Sequence, residues 1–133
     1  EKAHVITDFI RKGFETGVID MMTDGTEARE FLYAEDCCEA LESVMENYDQ
    51  LTSNDELHIT TGSHTTILEV ARIIQRLFSN IEKDVVIQPA ESKDEVQKDA
   101  RNIPDPYIKK FWRSKTSLKG GITKVFEEMK KDY

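Results

Sequence analysis

Leu57-His58-Ile59-Thr60-Thr61-Gly62-Ser63-His64-Thr65-Thr66-Ile67-Leu68-Glu69-Val70-Ala71-Arg72-Ile73-Ile74-Gln75-Arg76-Leu77-Phe78 is where two periodicities meet. Leu57 and Ile59 alternate with His58 and Thr60, so Leu57 to Thr60 is predicted as a strand that runs into a turn at Thr61-Gly62. Beyond the turn the period changes. Val70, Ile73, Ile74, Leu77 and Phe78 recur at helical spacing from a start near Ile67. Thr65 or Thr66 can cap that helix, and Glu69 stands where a capping-box partner returns a carboxylate to the cap's N–H.

Upstream, Val5, Ile6, Phe9, Ile10 and Phe14 predict an amphipathic helix with Gly17 as its stop. Val18 to Met22 predicts a short strand closed by the turn residues Thr23 to Thr26, and Arg29 to Ala34 a further extended segment. Glu35 and Asp36 open a helix ending near Asn47, its apolar face built from Cys37, Ala40, Leu41, Val44 and Met45, with acids where the helix dipole favours them. The pair reads as helix-start chemistry rather than a metal site, since no His or third carboxylate stands beside it at ligand spacing.

Downstream, Asp84 to Gln88 predicts a strand, and the polar run Glu91 to Asn102 a surface loop or irregular strand. Pro104-Asp105-Pro106 can start a short helix carrying Tyr107, Ile108, Phe111 and Trp112. Ser117 caps a last helix through Val125, Phe126 and Met129. The fold class is therefore α/β, mixed, with several helices and short strands.

With 133 residues and 38% apolar content, residues 1–133 suffice for a single domain with its own core. A net charge of −8 argues against nucleic acid as a partner, because neutralising phosphates needs a clustered surplus of Lys and Arg. No apolar run approaches the roughly 18 to 20 residues that span a bilayer, and Glu1-Lys2-Ala3-His4 is no signal peptide, so the chain reads as cytoplasmic. Cys37 and Cys38 are helical neighbours whose side chains diverge by about 100°, which predicts buried reduced thiols rather than a disulfide.

A Gly-rich strand-to-helix turn, which would cradle a dinucleotide pyrophosphate, is missing from the sequence. Nor is any Tyr followed four residues later by Lys: Tyr33 is followed by Cys37, Tyr48 by Thr52 and Tyr107 by Phe111.

Asp24-Gly25-Thr26-Glu27-Ala28-Arg29-Glu30-Phe31-Leu32-Tyr33-Ala34-Glu35-Asp36 resembles the "GDG…RDF.YV.D" segment of NAD-dependent nucleotide-sugar epimerases and dehydratases, of the extended short-chain dehydrogenase type. Three further landmarks follow the family's order: His4-Val5-Ile6-Thr7-Asp8-Phe9-Ile10 is similar to "HVIP..I", Leu57 to Glu69 to "YNIG.G….S..E", and Trp112 to Ile122 to "W.PKTSLEEGI". Thr7 stands for the usual Pro, Glu30 for Asp and His58 for Asn, and the Arg that often precedes the family's Gly-Asp is not found near Glu91 to Asp94.

The resemblance implies a small carboxy-terminal, substrate-binding lobe that lacks the Rossmann half, with Glu1 near where the family's chain leaves that half. An amino-terminal Rossmann domain is then the missing partner. NAD or NADP belongs to the intact enzyme and none is expected on this chain, which would be catalytically silent alone. The ligand implied is a UDP-, dTDP- or GDP-sugar. Arg29 would grip its diphosphate, since a guanidinium fork suits two phosphate oxygens. His58 would hydrogen-bond the nucleotide sugar, while His4, Val5 and the Met21-Met22 strand would line the base pocket, all on one concave surface. The residues leave open a different class: a self-contained binding or interaction module that kept the fold without catalysis.

Overall fold

The computed structural model describes residues 4–51, 57–95 and 104–133. Three amphipathic helices meet along their apolar stripes: α1 (Val5–Glu15), α3 (Ile67–Ser79) and α4 (Leu118–Lys130). α3 lies centrally, burying Ile67, Val70, Ala71, Ile74, Leu77 and Phe78. Facing it are Phe9 and Ile10 of α1 and Ile122 and Phe126 of α4. Fully burying one such side chain contributes about 1.5–3 kcal/mol, so this stripe carries much of the stability.

Aromatic rings join the three helices. Phe78 meets Phe14 and Phe126 edge-on at centroid distances of 4.7 and 4.9 Å, and Tyr133 stacks on Phe14 at 4.5 Å. Lys83 donates from Nζ to the Phe14 carbonyl at 2.6 Å, satisfying an acceptor left over at the end of α1.

The strands are short. β1 (Val18–Asp20) pairs in parallel with β4 (Val86–Gln88), Ile19 opposite Ile87. β2 (Ala28–Arg29) pairs antiparallel with β3 (Thr65–Thr66), placing Arg29 opposite Thr65. Gly25 adopts φ +76°, and a side chain there would meet the Met21 methyl at 2.3 Å, so the turn between β1 and β2 requires glycine.

The helix starts follow the sequence reading. Thr66 Oγ1 accepts the Glu69 N–H while the Glu69 carboxylate accepts the Thr66 N–H, completing the capping box. Ser117 caps α4 by accepting from the Gly120 N–H. Pro106–Lys110 is a 3₁₀ helix capped by Asp105, with Ile108 buried and, just beyond it, Trp112.

Several expectations are corrected. Leu57 to Thr60 forms no strand: β2 takes Thr65–Thr66 as its partner, and Leu57 and Ile59 pack instead against Ile108, Trp112 and Ala40. The extended segment at Arg29 to Ala34 is in a ladder only at Arg29, and α2 (Ala34–Glu46) begins one residue earlier than predicted. On α2, Ala40 is buried, but Leu41 and Met45, read as part of the same face, are 51% and 77% exposed. α2 packs on irregular segments rather than on the helical layer, and these cover only a narrow stripe. The cysteines are free, but Cys37 is only half-buried and Cys38 exposed, because both lie to the side of that stripe. Part of the polar run Glu91 to Asn102 lies outside the described residues.

Two helix glycines should respond oppositely to alanine. A methyl at Gly13 would sit 2.1 Å from the fully buried Phe78 ring, and overpacking costs about 1–3 kcal/mol against a propensity gain of up to about 1 kcal/mol. At Gly121 the nearest atom is 3.4 Å away, ordinary contact, so the propensity gain stands alone. In urea denaturation Gly13→Ala should lower the midpoint and Gly121→Ala raise it, with the m-value unchanged in both.

Candidate functional site

Beyond β1 the chain turns through Met21 to Glu27, and residues 90–94 run alongside it. The Ala90 N–H donates to the Thr23 carbonyl, the Asp24 N–H to the Ser92 carbonyl at 2.8 Å, and the Ser92 hydroxyl to the Met22 carbonyl. This pairing carries Asp94 to Arg29, whose Nη2 lies 3.2 Å from Asp94 Oδ2. Asp94 is thus the partner of Arg29, rather than the nearby Glu27, Glu30 or Glu35. One guanidinium nitrogen is engaged, Arg29 remains exposed, and its fork makes no other hydrogen bond or ion pair among the described residues.

Glu30 points the other way. Its carboxylate accepts from the buried Thr60 hydroxyl at 2.7 Å and from the Thr61 N–H at 2.8 Å, and the Gly62 N–H in turn donates to Thr60 Oγ1. The residue standing for the usual Asp therefore fastens the loop after His58 to the end of β2. His58 is half-buried, and its Nδ1 accepts the Asp105 N–H at 3.0 Å.

The other residues singled out in the sequence divide. Met22 is 89% exposed beside Ser92, whereas Met21 is a core residue. His4 is exposed at the cap position of α1, and Val5 is half-buried against the main core; neither makes a side-chain hydrogen bond or ion pair with the Arg29 surface. Arg29, Met22 and residues 92–94 thus share one surface, to which Glu30 and Thr60 connect the His58 segment.

Glu27 is buried beside this surface. Its Oε1 accepts from the Thr23 hydroxyl at 2.6 Å, and its Oε2 has no partner among the described residues. The Thr26 N–H and then its hydroxyl hold the Asp24 carboxyl below its usual range, with Lys93 adding a smaller electrostatic pull. Among the described residues no group of His, Cys, Asp and Glu could hold a metal, and no helix is long and apolar enough to cross a membrane.

The acid pair at the start of α2 conceals the best-satisfied carboxylate. Glu35 faces solvent, but Asp36 is buried and accepts from the Ser114 hydroxyl, the Lys115 N–H, and both the N–H and the hydroxyl of Thr116, at 2.8–3.2 Å. Burial works to raise its pKa. The hydrogen bonds, led by the Thr116 N–H, outweigh burial and hold the carboxyl below its usual range.

These features define a mixed α/β lobe with an exposed arginine on a loop-built surface. The model of the NAD-dependent epimerase/dehydratase family matches residues 1–60 of this chain. It is 29% identical over 130 residues to a GDP-L-fucose synthase of Sinorhizobium fredii, covering 94% of this chain and 40% of the relative. An epimerase of Methanothermobacter thermautotrophicus superposes with a TM-score of 0.80 at 15% identity, covering 99% of this chain and 38% of that one. A UDP-glucose 4-epimerase of Thermotoga maritima, solved with UDP-glucose, gives 0.75 at 24% identity, covering 99% and 41%. The chain thus spans about two fifths of the length of these proteins.

Asp36→Ala would strand four donors and should cost about 3–4 kcal/mol. Asp36→Asn can turn its oxygen toward the Ser114, Lys115 and Thr116 donors and its amide toward the Thr116 hydroxyl. It loses only the charge assistance and should cost about 1–2 kcal/mol. Because the folded-state pKa is depressed, this stability is fully present above the unfolded value of about 3.9 and lost as pH falls through the lower folded value. Thermal melts should therefore show the gap between wild type and Asp36→Asn narrowing as pH falls below the unfolded value of about 3.9 and through the lower folded value.

Proposed function

We propose that this chain is the substrate-binding lobe of an NAD(P)-dependent nucleotide-sugar epimerase or dehydratase, and that it binds the diphosphate of a UDP-, dTDP- or GDP-sugar through Arg29. The observation carrying this reading is an exposed guanidinium, tied by one nitrogen to Asp94, on the segment matching the family model. A fork held from one side leaves its remaining N–H groups for a bidentate contact with phosphate oxygens. Met22, which exposes a flexible thioether, supplies an apolar face for a base. His58, whose Nδ1 accepts the Asp105 N–H, is the residue that the family resemblance assigns to the nucleotide sugar.

The hydride chemistry of such enzymes is supplied by NAD(P), held in the Rossmann domain that precedes this lobe in our reading. This chain's part is to bind and orient. No Gly-rich strand-to-helix turn precedes a helix in this sequence, so on this reading the lobe has no cradle for a dinucleotide pyrophosphate. The lobe alone is therefore silent in catalysis and does not take up the dinucleotide. Calorimetric titration with NAD(H) or NADP(H) should show no micromolar binding, and such binding would contradict this division of labour.

For the nucleotide, the test is NMR shift mapping on the isotope-labelled chain with UDP, dTDP and GDP sugars. Perturbations should cluster at Arg29 and residues 57–62. Arg29→Lys should weaken binding and Arg29→Ala weaken it further, by about tenfold to a hundredfold in total, as expected from losing a charge-assisted contact of about 1.5–3 kcal/mol. Shifts confined to α4, or equal affinity in both variants, would leave Arg29 as a structural ion-pair residue.

A further inference from the structure

Two clefts on this lobe adjoin, and Arg29, His58, His4, Val5 and Met22 line neither. The first, of about 480 Å³, lies between the Thr61–Thr65 loop and the Ser114–Leu118 segment. The second, of about 240 Å³, lies between the start of α1, residues 31–34 and one face of α4. They share Phe31, Thr116, Ser117 and Leu118, which makes them two ends of one groove. Each is somewhat smaller than or comparable to the roughly 300–1,000 Å³ typical of small-molecule sites, and jointly they fall within it.

The ends differ in chemistry. The larger is walled by hydroxyls, and those of Ser63 and Thr65 make no hydrogen bond among the described residues, leaving a donor and acceptors on each. The smaller is lined by Ile6, Leu32, Ile122 and Val125 and contains no charged residue. Phe31, half-buried, offers part of its ring at the junction.

The lining carries little net charge. Lys115 is the sole charged residue at the hydroxyl end, and it is paired with Glu39 at 2.9 Å. Directly behind Ser114 and Thr116 lies the ionised Asp36. A ligand placed here meets neutral hydroxyls and an aromatic ring, with charges of both signs, Asp36, Lys109 and Lys124, behind the lining residues.

We propose that this groove is a second ligand site, for a neutral glycoside: a hexose-sized ring hydrogen-bonded at the Ser63–Thr65 end, its apolar aglycone running past Phe31 between Leu32 and Val125. This site is distinct from the nucleotide surface, which it adjoins at Thr61 and at Thr65, the ladder partner of Arg29. Because Asp36 fixes the Ser114–Thr116 wall, the groove is preformed and binding costs little ordering.

The test uses the labelled chain with n-hexyl β-D-glucoside below its aggregation concentration, and with glucose and 1-hexanol separately. Shifts should centre on Phe31, Ser63, Thr65, Leu118 and Val125, with the glucoside bound at least about tenfold more tightly than either half. Ser63→Trp and Thr7→Trp, both at exposed positions, should block the polar and apolar ends respectively and each weaken the glucoside by at least about tenfold, with the thermal melt retained. Saturating UDP-glucose should leave glucoside affinity unchanged. Hexanol matching the glucoside, or unchanged binding in both variants, would overturn the site. Displacement by UDP-glucose would overturn that distinction and make the groove the sugar end of the nucleotide site, whereas failure of the Arg29 variants to affect UDP-glucose would bear only on the function proposed above.

Discussion

One buried carboxylate fixes the Ser114–Thr116 loop to the start of α2. Asp36, in the first turn of α2, gathers four donors from Ser114, Lys115 and Thr116. Without them, burying that charge would be prohibitive; with them, an otherwise irregular loop has one stable course. That course delivers Ser117 to the cap of α4 and so aims α4 at the stripe of α1 and α3. Few hydrogen bonds between regular elements could do this job, since the ladders are two and three residues long.

Glu30 repeats the device nearer the proposed nucleotide surface. Its carboxylate holds Thr60 and Thr61, so the segment carrying His58 is placed by side-chain acceptors rather than by a sheet. Arg29, one residue before it, turns outward to Asp94. Adjacent positions of an extended chain point to opposite faces, and here one face builds the scaffold while the other carries Arg29 to the exposed surface. In an acidic chain an exposed arginine so placed is a local attraction for phosphate against an unfavourable overall field.

The extent to which the structure was readable in the sequence follows the range of the interactions. The helix at Ile67 and its Thr66–Glu69 box were legible because they depend on residues three or four apart. Gly17 and Gly25 likewise marked turns that need positive φ. Leu57 to Thr60 was misread as a strand because alternation reports two faces and says nothing about whether a ladder partner exists. Leu41 and Met45 were assigned to a core face because helical spacing does not reveal how wide a stripe its neighbours cover. At the candidate site, Arg29 was found through its motif, but its partner Asp94 lies 65 residues on, and the donors to Asp36 lie 78 to 80 residues on. No local pattern encodes such pairs. The acidic first turn of α2 was read as dipole complementation, which suits Glu35 but not the buried Asp36 beside it.

The central claim is that two hydrogen-bonded carboxylates, Asp36 buried and Glu30 half-buried, fix the loops at Thr60–Gly62 and Ser114–Thr116 beside the proposed ligand surfaces. Amide hydrogen exchange measures this directly. The Thr61, Lys115 and Thr116 N–H groups, each donated to a carboxylate, should exchange nearly as slowly as the buried amides of α3, opening only with global unfolding. Exchange of these three amides at the rate of the exposed Ser63–His64 loop, while α3 stays protected, would contradict the account.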